Sequence, residues 1–203
     1  LPTDYPQFPR SFVSTNQFLT AEYRGALSPA TFATARFGFS RTQIGQSVES
    51  NTTQAVSPFV PGRPTMGAID IGGLPRFGPQ LSADLDLAQD VYRGQVDLVH
   101  ARGHHLLKAG GLIERYRATE FNPTFSRGVY RFASLPAFLA GTAASFIGLT
   151  PDGDVNRAWD WTLFGGYLQD DWTVAPNVTV NAGLRFEAAT VPVDPRDVNM
   201  PDL

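Results

Sequence analysis

The stretch GYLQDDWTVAPNVTVNAGLRFEA, residues 166–188, decides the fold class of this chain. From residue 178 onward, apolar residues alternate one by one with polar or small residues. The apolar set is Val178, Val180, Ala182, Leu184 and Phe186, and the set between them is Thr179, Asn181, Gly183, Arg185 and Glu187. Because successive side chains of a strand point to opposite faces, the pattern predicts a strand with one apolar and one polar face. Such a strand fits a soluble sheet with one wet side, and it also fits a membrane barrel that is apolar outside and wet inside.

The same alternation recurs along the chain and predicts three hairpins. The first lies in residues 16–42 around Pro29, and the second lies in residues 90–117 with its turn at 101–104. The third turns at residues 175–177. About six strands of roughly 9–11 residues are therefore predicted, which is the length that a tilted strand needs to cross a bilayer. Strands of soluble sheets are typically shorter, at roughly 5–6 residues.

The connections between the predicted strands alternate in length. The hairpin turns take only a few residues, whereas the segments 45–88 and 118–158 are much longer. Short turns at one end and long loops at the other are typical of outer-membrane barrels, and structureless connections of this length are unusual in a compact soluble domain. The Pro- and Gly-rich stretch 57–80 predicts an irregular, exposed loop. In the second connection, Ser134 is predicted to cap a short helix whose first turn contains Pro136.

Together these patterns predict an all-β fold. It is an antiparallel up-and-down meander of about six long strands, a slice of a large transmembrane β-barrel. Leu184, in the middle of the clearest strand, is expected to face lipid near the membrane midplane. Six strands fall short of the roughly eight that close the smallest barrel, and the chain starts on Leu1 without an initiator Met. We therefore expect residues 1–203 to be a partial outer-membrane β-barrel domain, an internal fragment of a longer protein.

Composition and charge narrow the possible partners. The formal net charge is -3, with no polybasic segment, so we expect no nucleic-acid partner. The chain has no Cys, which excludes disulfides, thiolate metal sites and Cys nucleophiles. The longest uncharged stretch, residues 132–151, is interrupted by Pro136, Gly141 and Gly148, so it is a poor transmembrane helix. A membrane-embedded form of this chain must therefore be a barrel.

The three histidines do not predict a metal site. His104 and His105 are adjacent, so on a strand they would point to opposite faces, and no carboxylate motif frames them. Together with His100 they are interpreted as turn residues.

Two groups of carboxylates also fail to predict chemistry. Residues 152–156 begin like a calcium loop with Asp152, Asp154 and Asn156, but residues 157 and 163 are not the Gly and Glu that such a loop needs. Asp170 and Asp171 face opposite ways on a strand, so they cannot act on one substrate. We predict a protein that is not an enzyme, with no catalytic, cofactor-binding or metal-binding residues and no cofactor.

The polar faces of the strands carry charges of both signs. In a wide barrel such residues line the lumen and pair with one another. The predicted lumen set is Glu22, Arg24, Arg36, Arg93, Asp97, Lys108, Glu114, Arg185 and Glu187. Five aromatic residues near the predicted strand ends fit either interfacial girdles or ordinary sheet packing, and these are Tyr92, Tyr116, Trp159, Trp161 and Trp172.

Four stretches resemble one family of outer-membrane proteins. The stretch GYLQDDWTVAPNVTVNAGLRFE closely resembles a strand-turn-strand segment of TonB-dependent receptors, in the Oar-like branch. The stretches RGHHLLKAGGLIERY, GVYRFASLPAFLAG and ALSPATFATARFGFSR are similar to two hairpins and a loop of that branch. The resemblance covers roughly residues 14–188.

The resemblance implies a large barrel of about twenty-two strands that imports a scarce nutrient. It also implies a plug domain inside the barrel, energy supplied by TonB, and a location in the outer membrane of a Gram-negative bacterium. The expected partners are outer-membrane lipid, the rest of the barrel, the plug domain, and TonB through the missing N-terminal part. The plug domain, the TonB box and the remaining strands are expected to lie outside this chain, and the transported substrate is not predicted.

Two alternatives stay open at this point. A porin or adhesin barrel has the same strands and lacks only the plug. A soluble all-β module that binds carbohydrate or another ligand would instead pack the apolar faces together in a dry core.

Overall fold

The computed structural model describes residues 5–48, 56–82, 84–150 and 153–196, and almost every regular element in them is a strand. The elements in chain order are β1 (Arg10–Ser28), β2 (Thr31–Val48), β3 (Ala68–Ile71), β4 (Asp86–Arg102), β5 (His105–Phe121), β6 (Val129–Phe132), α1 (Leu135–Leu139), β7 (Ser145–Ile147), β8 (Asn156–Ala175) and β9 (Val178–Ala189). The predicted all-β class is confirmed.

The six long strands form one antiparallel sheet in the order β1-β2-β4-β5-β8-β9. The predicted hairpins are confirmed, with two-residue turns at 29–30, 103–104 and 176–177. Gly103 adopts a φ of 60°, a conformation that glycine reaches without steric cost. Within the described part of the chain, β1 and β9 each have a strand neighbour on one side only.

The long strands contain 12 to 20 residues, more than the predicted bilayer-spanning length. The chain divides into two compact units, and this division cuts through most of these strands. Unit 1 comprises Leu1–Thr15, Gln43–Ala88 and Thr119–Arg157, and unit 2 comprises Asn16–Thr42, Gln89–Ala118 and Ala158–Leu203. The strand ends next to the long connections thus belong to unit 1, and the three hairpins belong to unit 2.

Unit 1 corrects the interpretation of the long connections as structureless loops. Strand β3, inside the stretch predicted to be irregular, pairs in parallel with β6, and β6 pairs antiparallel with β7. The small core of unit 1 contains five buried apolar residues: Phe8, Val60, Met66, Ala68 and Val129. The local sequence pattern did not predict this fold, because β3 and β6 are about 60 residues apart. Their pairing is also parallel, so no hairpin turn joins them and no turn signal indicates the pairing.

The predicted helix in the second connection is confirmed as α1. The Ser134 side chain accepts a hydrogen bond from the Ala137 amide at 3.4 Å, and Pro136 lies in the first turn. The helix has five residues, and no helix in the described ranges has the length and hydropathy of a membrane span.

Candidate functional site

The polar face of unit 2 is covered by side chains that pair across neighbouring strands. Arg36 Nε donates to Glu22 Oε2 at 2.7 Å between β2 and β1, and Arg93 Nη1 lies 3.0 Å from Glu114 Oε1 between β4 and β5. Arg185 pairs with Glu187 along β9. Each member of the predicted lumen set makes a hydrogen bond or an ion pair. Seven of the nine pair with another member of the set, as expected, whereas Asp97 contacts Gln95 and Lys108 contacts Asp171.

Strand β8 adds a tyrosine to this polar face. The Tyr167 hydroxyl donates to Asp97 Oδ1 at 2.9 Å, so the ring reaches across β5 to β4. The ring passes directly over Gly110, where an added Cβ would lie 2.3 Å from Tyr167 Cε1. Gly110 is therefore a place where a side chain from the adjacent strand crosses close to the backbone.

Asp170 and Asp171 point to opposite faces, as predicted. Lys108 Nζ donates to Asp171 Oδ2 at 2.5 Å on the polar face. On the other face, Asp170 Oδ2 lies 2.7 Å from His105 Nδ1, and the His105 ring stacks on Trp172. The two carboxylates do not form a catalytic pair, and each belongs to a separate cross-strand contact.

The histidines occupy other positions than predicted. His100 ends up on β4, with its Nδ1 2.8 Å from Thr31 Oγ1, and His105 is the first residue of β5, so only His104 lies in a turn. Among the described residues, no group of three or more His, Asp or Glu side chains could hold a metal ion. In the calcium-like stretch, Asp152 lies outside the described residues, and Asp154 Oδ1 accepts from the Asn156 amide at 2.8 Å.

Three of the five aromatic residues that fit an interfacial girdle have the parity of the polar face instead: Tyr116 on β5, and Trp159 and Trp161 on β8. The rings of Tyr116 and Trp161 stack with centroids 4.8 Å apart, and the Tyr116 hydroxyl donates to Glu114. Tyr92 and Trp172 do lie on the apolar face, beside Phe39 and His105 respectively. The face of each aromatic residue follows from its odd or even position on its strand, with the observed contacts fixing which positions face which side.

The opposite face of unit 2 is apolar and exposed. Leu184 is 78% exposed, and its cross-strand partner Leu168 is 60% exposed. Other large apolar side chains on this face are also exposed, including Leu19, Phe37, Val96, Ile113 and Phe186. A contiguous apolar surface of this extent is unusual for a water-soluble monomer, and it is the expected surface of a strand that faces lipid.

Polar and charged residues border this apolar face at both ends. On each of the four inner strands the two border residues are ten residues apart: Thr31 and Arg41 on β2, Asp90 and His100 on β4, His105 and Arg115 on β5, and Asp160 and Asp170 on β8. Ten residues extend about 33 Å along a strand, which a tilt of about 40° reduces to about 25 Å. This is the height of the apolar band of a membrane barrel, so the four strands mark the same two membrane borders.

Comparison with known proteins agrees with this geometry. A family model described as an outer membrane beta barrel domain matches residues 1–201. No curated protein and no solved structure matches the chain. The family match covers residues of both compact units.

Proposed function

This chain belongs to the outer membrane beta barrel domain family, and from that premise we propose that it is a segment of a TonB-dependent active transporter for nutrient uptake. Its location is the outer membrane of Gram-negative bacteria, where lipid surrounds the apolar face. A soluble carbohydrate-binding module no longer fits, because the apolar face of unit 2 is exposed and not packed in a dry core.

The observation that carries the proposal is the polar face of unit 2. Paired charges of both signs extend over the sheet from Glu22 on β1 to Glu187 on β9. Such a face fits a wide, water-filled lumen, since moving charged groups from water into an apolar environment is costly. In the described part of the chain, β1 and β9 each have an open edge, and an open edge needs a further strand because it is not tolerated in lipid. A large barrel, of which these six strands are one part, meets both needs.

Within the class of large barrels, the resemblance of the hairpins to TonB-dependent receptors favours active transport. The protein would then take up a scarce substrate, with energy passed from TonB to a plug domain that fills the lumen. The chain carries out no chemical reaction in this proposal. Its lumen residues interact with one another and with the plug, and the long connections lie outside the cell.

A porin or an adhesin is the second candidate, because either would use the same strands without a plug. The test is the complete reading frame that contains this chain, followed by crosslinking of the expressed protein to TonB in cells. We expect a plug domain with a TonB box before the first strand, and a crosslink that deletion of the box abolishes. A reading frame with only a signal peptide before the barrel, and no crosslink, would contradict active transport.

A further inference from the structure

A row of charged side chains crosses four neighbouring strands at the upper border of the apolar face, meaning the border next to the long connections. Arg41 on β2 makes a bidentate ion pair with Asp90 on β4, with N–O distances of 2.6 and 2.7 Å. Arg115 on β5 donates to both carboxylate oxygens of Asp160 on β8, at 3.2 and 2.7 Å. All of these residues belong to unit 2 and point outward, away from the lumen.

The row contains more positive than negative charge. Arg117 also turns toward Asp160, with its Nε 3.6 Å from Oδ2, so two guanidinium groups share one carboxylate. Arg115 and Arg117 are 54% and 58% exposed, whereas Asp160 is 19% exposed. At this border the arginine donors are thus more accessible than the carboxylate oxygens. The outward surface is therefore better suited to bind an anion than a cation.

An apolar groove lies on the same face. Its volume is about 750 Å³, and its lining includes Gly94, Gly111, Phe37, Val96 and Ile113. Gly94 and Gly111 have no side chains, so they form the bottom of the groove, and the larger side chains form its walls. Ile113 is two residues from Arg115 on the same face of β5, so the groove begins just below the row of charges.

From these features we propose that the outward face of unit 2 binds lipopolysaccharide, with an acyl chain in the groove and a phosphate on Arg115 and Arg117. The row lies at the border from which the long connections extend, which in outer-membrane barrels is the extracellular side. Lipopolysaccharide is the phosphate-bearing lipid of that leaflet. Arginine favours phosphate because its planar guanidinium donates two parallel hydrogen bonds. The proposal depends on the chain being an outer-membrane barrel and not on what the barrel transports.

The test measures lipid bound to the whole barrel protein, purified from outer membranes in mild detergent. Native mass spectrometry gives the bound fraction during titration with purified lipopolysaccharide, and separately with phosphatidylglycerol and phosphatidylethanolamine. We expect lipopolysaccharide to bind in preference to both phospholipids. Arg117→Gln should weaken this binding about fivefold, the effect of one arginine at a lipid surface. The double change Arg115→Gln with Arg117→Gln should weaken it further.

Two matched controls separate the site from general surface effects. Arg24→Gln removes an exposed arginine from the polar face of the same sheet and should leave lipopolysaccharide binding unchanged. Gly111→Leu fills the groove where an added Cβ would have space, and should weaken binding, whereas Val180→Leu adds bulk on the same face outside the groove and should not.

Folding of each variant is checked by the shift in electrophoretic mobility on heating that folded barrels show. If the double variant does not fold, Arg117→Gln alone decides, because it keeps the closer pair between Arg115 and Asp160. Equal binding by wild type and Arg117→Gln would overturn the proposal. Equal binding of lipopolysaccharide and phosphatidylglycerol would also overturn it, and would leave only a general attraction to anionic lipid.

Discussion

At the scale of single residues, depth in the apolar band should decide what a charge costs. The observed register moves Leu184 away from the midplane position expected from the sequence. Leu184 pairs with Leu168, two residues from the border residue Asp170, while Phe186 pairs with Gly166 near the middle of the ten-residue span. The depth of Leu184 and Phe186 follows only from their pairing with β8. The apolar-face positions of β9 include no polar residue that would mark a membrane border.

We predict that Phe186→Arg lowers the free energy of unfolding in vesicles by about 2–4 kcal/mol, as for a charge at the bilayer midplane. Leu184→Arg should cost less, since it lies nearer the border. Asn181→Arg, on the polar face opposite Asp171, should be mildest. Denaturant titration of the three variants measures the order. A cost for Asn181→Arg equal to that for Phe186→Arg would contradict the assignment of faces.

Gly110 supports a prediction about close packing on the polar face. Gly110→Ala places a Cβ 2.3 Å from the Tyr167 ring, so the ring must move and its hydrogen bond to Asp97 should break. We expect a loss of about 1–3 kcal/mol in unfolding free energy, typical of overpacking. The neighbouring change Gly111→Ala is the control, because its Cβ meets only the Gly165 carbonyl oxygen at 3.8 Å. An added Cβ at Gly110 also lies 2.5 Å from Asp97 Oδ1, so the loss should largely disappear in a background with both Tyr167→Ala and Asp97→Ala, and its persistence there would refute these contacts.

Asp194 makes the segment after β9 sensitive to acid. The Arg196 side chain, with the Arg196 and Ala158 amides, lowers the pKa of Asp194 well below its usual range, although burial opposes this. A lowered pKa in the folded state means that the ionised carboxylate stabilises the fold above the ordinary aspartate range, near pH 4. This contribution is lost as the pH falls through the lowered pKa.

We therefore predict that the difference in stability between wild type and Asp194→Asn is largest above about pH 4 and shrinks below it. Chemical denaturation of both proteins at a series of pH values measures this difference. A difference that does not change between neutral and strongly acidic pH would show that Asp194 does not ionise differently in the folded and unfolded states.

At the scale of elements, the small sheet of unit 1 depends on close backbone contact. A Cβ at Gly67 would lie 1.9 Å from the Gly128 carbonyl oxygen, beside the first pair of the β3–β6 register. Gly67→Ala should therefore separate β3 from β6 and open unit 1, whereas Gly45→Ala on β2 meets nothing within 4 Å.

We expect Gly67→Ala to make the connection between β2 and β4 much more sensitive to limited proteolysis, while heat-modifiable migration of the barrel is kept. Gly45→Ala is expected to behave like wild type. Equal protease resistance of the two variants would contradict the observed packing of β3 on β6.

The elements also show how far sequence pattern reaches. The three hairpins were predictable because alternation and turn residues are local signals, and each strand pairs with its sequence neighbour. Strands β3 and β6 were not predictable, since Pro and Gly indicated an irregular segment and the burial of Val60 and Met66 depends on distant residues. The lumen charges were predictable from face parity, but the pairs Arg41–Asp90 and His105–Asp170 were not, because only the strand register brings them together.

At the scale of the whole molecule, the central claim is that unit 2 crosses the outer membrane with its apolar face toward lipid. The four strands that share the ten-residue interval between border residues locate the bilayer on this unit. A soluble protein has no reason to keep this interval equal on neighbouring strands, whereas a bilayer of fixed thickness imposes it on all of them.

Site-directed spin labelling along β5 tests this claim most directly. Residues 1–203 contain no Cys, and any Cys in the rest of the protein is replaced first, so each single-Cys label is specific. Labels at residues 106–116, in the protein reconstituted in vesicles, would be probed by collision with oxygen, which concentrates in lipid, and with a water-soluble nickel complex. We predict strict alternation, with oxygen favoured at Leu107, Ala109, Gly111 and Ile113, and the nickel complex favoured at the residues between them. The oxygen preference should end at Arg115. Labels without alternation, or labels inaccessible to both reagents, would contradict a membrane-spanning strand and the account of the barrel based on it.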